Sequence, residues 1–142
     1  MSVADIKYLE ASELYRWMKQ GHTTTFHERF QVVDVRGQDY IGGHIVGGWH
    51  IPYKELCHDS EATETLKQRL LKGTGNVNVV FHCAQSQQRG PSAALKLLRS
   101  LDADDKQLIT VWVLRGGFNH WQDVYGEDET VTEDYASDLW TW

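Results

Sequence analysis

Cysteine is scarce in this chain: only Cys57 and Cys83 occur among 142 residues. They form no Cys-x-x-Cys pair, which removes zinc-site and dithiol readings. One disulfide is all that the count allows, and in a reducing compartment two free thiols are expected. Basic residues are also in deficit, with 14 Lys and Arg against 20 Asp and Glu and a net charge of −6. A general nucleic-acid binder is usually basic, so that class is disfavoured. The deficit is local: after Arg115 there is no Lys or Arg, while Asp123, Glu127, Asp128, Glu129, Glu133, Asp134 and Asp138 follow. An acidic end of this kind reads as a solvated face or tail. Long apolar runs are missing too, far short of the roughly 20 residues a membrane helix needs. The start, Met1-Ser2-Val3-Ala4-Asp5, lacks the basic flank and apolar block of a secretory signal. No internal repeat, low-complexity linker or metal-ligand spacing of histidines is present. The expectation is a cytoplasmic protein, with the nucleus as a second compartment, that uses no metal, cofactor, membrane or nucleic acid.

What the chain does have is 41% apolar residues and six tryptophans, enough area for one packed core. Strand and helix signals alternate. Ile6–Leu9 reads as a short strand and Ser12–Gln20 as a helix, with Leu14, Trp17 and Met18 on one face. Phe30–Val35 is a buried-type strand. Gly42–Gly48 reads as a turn region rich in positions that tolerate positive φ. Asp59–Lys72 is predicted as an amphipathic helix with Leu66, Leu70 and Leu71 inward, and Asn76–His82 as the next strand. Gly90–Ser100 is a helix, Leu108–Leu114 a strand, and Phe118–Tyr125 a last short helix. Residues 126–142 read as irregular. This alternation predicts an α/β domain, with a largely parallel sheet flanked by helices on both faces.

The chemistry concentrates in Phe81-His82-Cys83-Ala84-Gln85-Ser86-Gln87-Gln88-Arg89-Gly90-Pro91. A strand ends here and a helix begins about seven residues later. Ligands of open α/β sheets bind at the carboxyl ends of strands. A helix N-terminus adds unpaired N–H groups and a positive dipole end. Pro91 fits the first helical turn, where its missing N–H costs nothing. Cys83 and Arg89 are separated by five residues within this cradle. A thiol beside positive charge is favoured as the thiolate, and a guanidinium fork matches two oxygens of a tetrahedral oxyanion. The expected chemistry is attack by Cys83 on phosphorus to form a phosphocysteine, with Arg89 and the amides of Ala84, Gln85, Ser86, Gln87 and Gln88 holding the oxygens. The bland alternative is a buried structural cysteine and a surface arginine; the coincidence of strand end, spacing and Gly-Pro helix start speaks against it.

The stretch from His82-Cys83 to Arg89-Gly90-Pro91 resembles the active-site loop of the cell-division-cycle twenty-five phosphatases and of the related eukaryotic arsenate reductases. Two further segments are similar to rhodanese signatures. One is Val33-Asp34-Val35-Arg36 with Asp39-Tyr40-Ile41-Gly42-Gly43-His44-Ile45 and Gly48-Trp49-His50-Ile51-Pro52. The other is Leu114-Arg115-Gly116-Gly117-Phe118 with Trp121. The resemblance implies a rhodanese-like domain with a core over about 6–125 and a tail over 126–142. It is strongest toward the small fungal single-domain phosphatases. It also implies a tyrosine or dual-specificity phosphatase acting on a phosphorylated protein, with glutathione-dependent arsenate reduction as the rival. The loop is one residue longer than that of rhodanese sulfurtransferases, which puts sulfur transfer third. A non-catalytic phosphoprotein-binding module is the remaining alternative.

The chain departs from that family at Ala84 and Gln88, where its phosphatases carry acidic residues, so the acid for the leaving group is unassigned. It also departs at Val35, where they carry a protective cysteine. Around the loop, His82 is expected to hydrogen-bond backbone or to support the thiolate. Asp34 and Arg36 are expected to fix the strand end by ion pairing, Arg115 likewise, and His44 to stabilise a turn. Ser86 reads either as packing or as a hydroxyl that assists the thiolate. Gln87 and Gln88 are expected to face the pocket mouth. Leu139, Trp140 and Trp142 read as rings docked on the body, or else as a surface for weak self-association.

Overall fold

The computed structural model describes residues 5–140. In chain order the strands are β1 (Lys7–Leu9), β2 (Arg29–Asp34), β3 (His44–Ile45), β4 (Trp49–His50), β5 (Val77–His82), β6 (Ile109–Leu114) and β7 (Thr132–Glu133). The helices are α1 (Ala11–Gln20), α2 (Tyr53–His58), α3 (Ser60–Leu71), α4 (Arg89–Ser100), α5 (Ala103–Leu108) and α6 (Gly117–Tyr125). The main sheet has the order β1-β6-β5-β2-β4, and every pairing in it is parallel.

Period-two alternation assigns each strand residue to a face. In β5, Val77, Val79 and Phe81 join the cluster that holds Leu66 and Leu70 of α3 and Ala93, Ala94 and Leu97 of α4. Val80 belongs to the opposite cluster, with Leu14 and Trp17 of α1 and Phe118 and Trp121 of α6. The sheet is therefore covered on both faces, as parallel sheets require. Each fully buried Leu or Phe contributes about 1.5–3 kcal/mol to that packing. All six residues of β5 are buried, so its carboxyl end is a rigid mount for whatever follows.

The structure adds elements that the sequence reading lacks. Helix α2 follows Pro52 and is only six residues long with Leu56 alone buried, too short for a visible period. Helix α5 buries none of its residues, so no apolar stripe marks it. Its signature is a capping box, in which the Asp102 side chain accepts from Asp105 N–H and the Asp105 side chain from Asp102 N–H. The Gly42–Gly48 segment contains β3, which pairs antiparallel with β7. The segment after Tyr125 is thus not simply irregular: Val131 and Thr132 are buried, and the core extends past residue 125. Trp121 Nε1 donates to Thr132 Oγ1 at 2.9 Å. Trp140 Nε1 donates to the Gly42 carbonyl at 2.9 Å, and its ring packs on Phe118 at 5.6 Å. Trp142 lies outside the described residues.

Candidate active site

Cys83 follows the last residue of β5, the central strand, at the carboxyl end of the sheet. It is 3% exposed. The chain then turns through Ala84–Gln88 and enters α4 at Arg89. Ser86 takes a positive φ of 58°, uncommon for a residue with a Cβ. That turn brings its N–H back onto Cys83 Sγ at 3.2 Å. The amides of Ala84, Gln85, Gln87 and Gln88 donate to no group among the described residues. Those four residues, with Cys83 and Arg89, line a cavity of about 360 Å³. Unpaired amides at the start of a twelve-residue helix form a concave donor set for an anion.

The back of the loop is held by α6. Phe118 N–H donates to the Cys83 carbonyl at 2.9 Å and Asn119 N–H to the Ala84 carbonyl at 2.8 Å. The loop carbonyls thereby satisfy the open N–H groups of a helix N-terminus and are directed toward that helix. The approach depends on Gly117, which has a φ of 58°. A Cβ there would lie 2.5 Å from the Ala84 oxygen and 2.6 Å from the Cys83 oxygen.

Arg89 is held in a bidentate pair with Asp39: its two terminal nitrogens donate to the carboxylate at 2.8 and 2.6 Å. Its guanidinium also interacts with the Cys83 thiol. The hydrogen bonds from Arg89 push the Asp39 carboxyl down to about 2, against the smaller opposing effect of partial burial. Asp39 is itself placed by Arg36, which is fully buried and donates to the Asp39 carbonyl at 3.4 Å. Arg36 forks onto Asp34 at 2.8–3.1 Å, donates to the Gly43 carbonyl at 2.9 Å, and lies over the Phe118 ring at 4.3 Å. The segment carrying Asp39 is thus pinned from beneath. Burial works to raise the Asp34 carboxyl, and its hydrogen bonds with Arg36 help hold it below the usual range.

His82 lies behind the loop and is fully buried. Its Nδ1 is 3.2 Å from the Cys83 carbonyl, which can only accept, so Nδ1 carries the proton. Nε2 stands 3.7 Å from Asp34 Oδ2 and makes no hydrogen bond. Burial lowers the pKa of the ring, against the opposing pull of Asp34. The geometry places His82, Asp34 and Arg36 together as a support layer.

Other residues singled out in the sequence separate from the loop. Arg115 does not fix it: this side chain is 61% exposed, pairs with Glu10 at 2.7 Å and lies over Tyr8. His44 sits in β3, its Nε2 3.2 Å from Glu133. Cys57 is exposed on α2 and lines a different cavity. Ser86, by contrast, stays within the loop: it is buried, and its Oγ has no hydrogen-bond partner. No group of three or more potential metal ligands occurs among the described residues. The functional geometry missed in the sequence is Asp39 and the α6 amides. The Asp39–Arg89 pair spans 50 positions, beyond any local pattern.

Known proteins share this fold. The rhodanese-like domain family matches residues 10–124. The CDC25-like phosphatase YCH1 of Saccharomyces cerevisiae is 58% identical over 143 residues, covering 98% of this chain and 97% of that protein. Arsenical-resistance protein 2 of the same yeast is 35% identical, over 66% of this chain and 74% of its own. A solved yeast protein tyrosine phosphatase of the rhodanese family superposes with a TM-score of 0.94 at 58% identity. That match covers 98% of this chain and 99% of the solved one.

Proposed function

The chain belongs to the rhodanese-like domain family, and from that premise we propose that it is a protein phosphatase of tyrosine or dual specificity, working through a phosphocysteine on Cys83. The observation that carries this reading is the cavity whose wall consists of Cys83, four loop residues with unpaired amides, and Arg89. Its likeness to a CDC25-like phosphatase along nearly its whole length supports the same reading. Cys83 Sγ attacks phosphorus, the P–O bond to the leaving group breaks, and the oxygen departs with the electron pair. Water then attacks the phosphocysteine and the thiolate leaves. The amides and Arg89 offset the charge on the transferring oxygens through both steps.

Proton supply decides the substrate class. The cavity lining contains no carboxylic acid. Asp39 is the carboxylate bound to Arg89, and at about 2 it is ionised at neutral pH. His82 is sealed behind the loop. An unassisted phenolate leaves far more readily than an alkoxide, since a phenol has a pKa near 10. Phosphotyrosine and aryl phosphates are therefore the preferred substrates. Turnover of matched phosphotyrosine and phosphoserine peptides, each with the unsubstituted protein and Cys83→Ser, tests this. Faster Cys83-dependent turnover of phosphoserine would contradict it.

Arsenate reduction is the second reading, favoured by the 35% identity to arsenical-resistance protein 2 and by the similar shapes of arsenate and phosphate. The only other cysteine, Cys57, lines a separate cavity, so this reading requires an external thiol such as glutathione. Arsenate reduction with glutathione, and sulfur transfer from thiosulfate, assayed beside phosphate release, rank the three reactions.

A further inference from the structure

A second cavity, of about 510 Å³, opens between α2, α3 and α4. It presents the exposed thiol of Cys57. Tyr53 lies beside it, with the Cys57 thiol and Ser92 as side-chain hydrogen-bonding neighbours. Lys96 and Arg99 supply two cations from α4, and no carboxylate lines the cavity. Neither cation forms an ion pair with a described residue. On a molecule of net charge −6, this is a local positive field next to a nucleophile. The wall also contains Thr63, which is 6% exposed and whose Oγ1 has no hydrogen-bond partner. A buried hydroxyl without a partner costs free energy, and a ligand that bonds to it recovers that cost.

We infer that this cavity is a thiol–disulfide exchange site, in which Cys57 takes up the thiol half of an anionic, carboxylate-bearing low-molecular-weight disulfide. Lys96 and Arg99 hold the carboxylates of the incoming disulfide, and Thr63 offers a further hydrogen bond. Cys57 gives its proton to solvent, and the thiolate attacks one sulfur of the disulfide. The new bond joins Cys57 Sγ to that sulfur. The old S–S bond breaks, and the second half leaves as a thiolate with the electron pair. Cys57 is oxidised and the departing half is reduced, with no other reactant required. This chemistry is independent of Cys83.

The test uses Cys83→Ser, in which Cys57 is the only thiol, and follows mixed-disulfide formation by intact mass. Glutathione disulfide is the anionic probe and cystamine the cationic one. The ratio of their rate constants is compared with that of the same protein carrying Lys96→Gln and Arg99→Gln. The expected result is a ratio about tenfold higher with the cations present, collapsing as salt is raised. Thr63→Val is expected to slow the glutathione reaction and leave the cystamine reaction unchanged. A ratio that the double substitution does not move overturns the proposal. So does a glutathione rate indifferent to salt.

Discussion

Asp39 sets the resting state of Arg89. Both terminal nitrogens of the guanidinium are committed to its carboxylate, so an arriving oxyanion competes with Asp39 for the same donors. Asp39→Asn weakens the competitor and removes a like charge from the pocket rim. Inhibition by vanadate or tungstate is expected to tighten by about two- to fivefold, the scale of a partly exposed ion pair; weaker inhibition would contradict this role. His82 carries a different signature. Its pKa is lowered by burial from 6.5, so the unfolded chain takes up the proton first as pH falls. Stability is then lost below about pH 6.5, with a slope of at most about 1.4 kcal/mol per pH unit. Denaturant titrations at pH 7 and pH 5.5 should show this loss, and His82→Asn should reduce it. An identical loss in the variant would remove His82 as the cause. Asp39 acts at the other end of the scale: its folded value of about 2, below the ordinary 3.8, gives stability above about pH 4 that fades toward pH 2. At this scale Cys83 and Arg89 were legible because one loop carries both. Asp39 was visible only as a motif letter, since its role depends on a fold that brings it to Arg89.

Helix α6 acts on the site through its backbone. Its first amides take the Cys83 and Ala84 carbonyls, which frees the loop's own N–H groups to face a ligand. Gly117→Ala places a methyl 2.5 Å from the Ala84 oxygen at a φ of 58°, so the helix or the loop must shift. Phosphatase kcat/KM is expected to fall by about tenfold or more, because a 1 Å displacement of a positioned group is costly. Thermal stability is expected to fall too, since Ala at positive φ is strained. Unchanged kinetics would show that the loop does not depend on α6. The long elements were readable from period and punctuation: α4 from its Ala and Leu stripe, β5 from its Val- and Phe-rich stretch bounded by Gly75 and the Cys83 loop. Helices α2 and α5 were not, because a six-residue helix with one buried residue or none shows no period. The β3–β7 pair was hidden for another reason: two residues on each side join segments that only tertiary packing brings together.

Across the whole molecule, parallel strand order does most of the placing. The parallel strands β2 and β5 present Asp34 and His82 side by side, so the support layer and the nucleophile share one edge of one sheet. The α/β architecture followed from alternation in the sequence. The outer limit of the core did not, because Val131 and Trp140 pack back from a segment whose acidic composition masks them. The central claim, that this edge holds a phosphoryl group on sulfur, is tested most directly by trapping it. The protein is mixed with an excess of aryl phosphate, quenched in acid within the first turnover, and digested for mass spectrometry. The expected result is a phosphate adduct on the Cys83 peptide, absent in Cys83→Ser and released as product forms. Aryl phosphate hydrolysis persisting at the unsubstituted rate in Cys83→Ser, with no adduct on the Cys83 peptide of the unsubstituted protein, would contradict it.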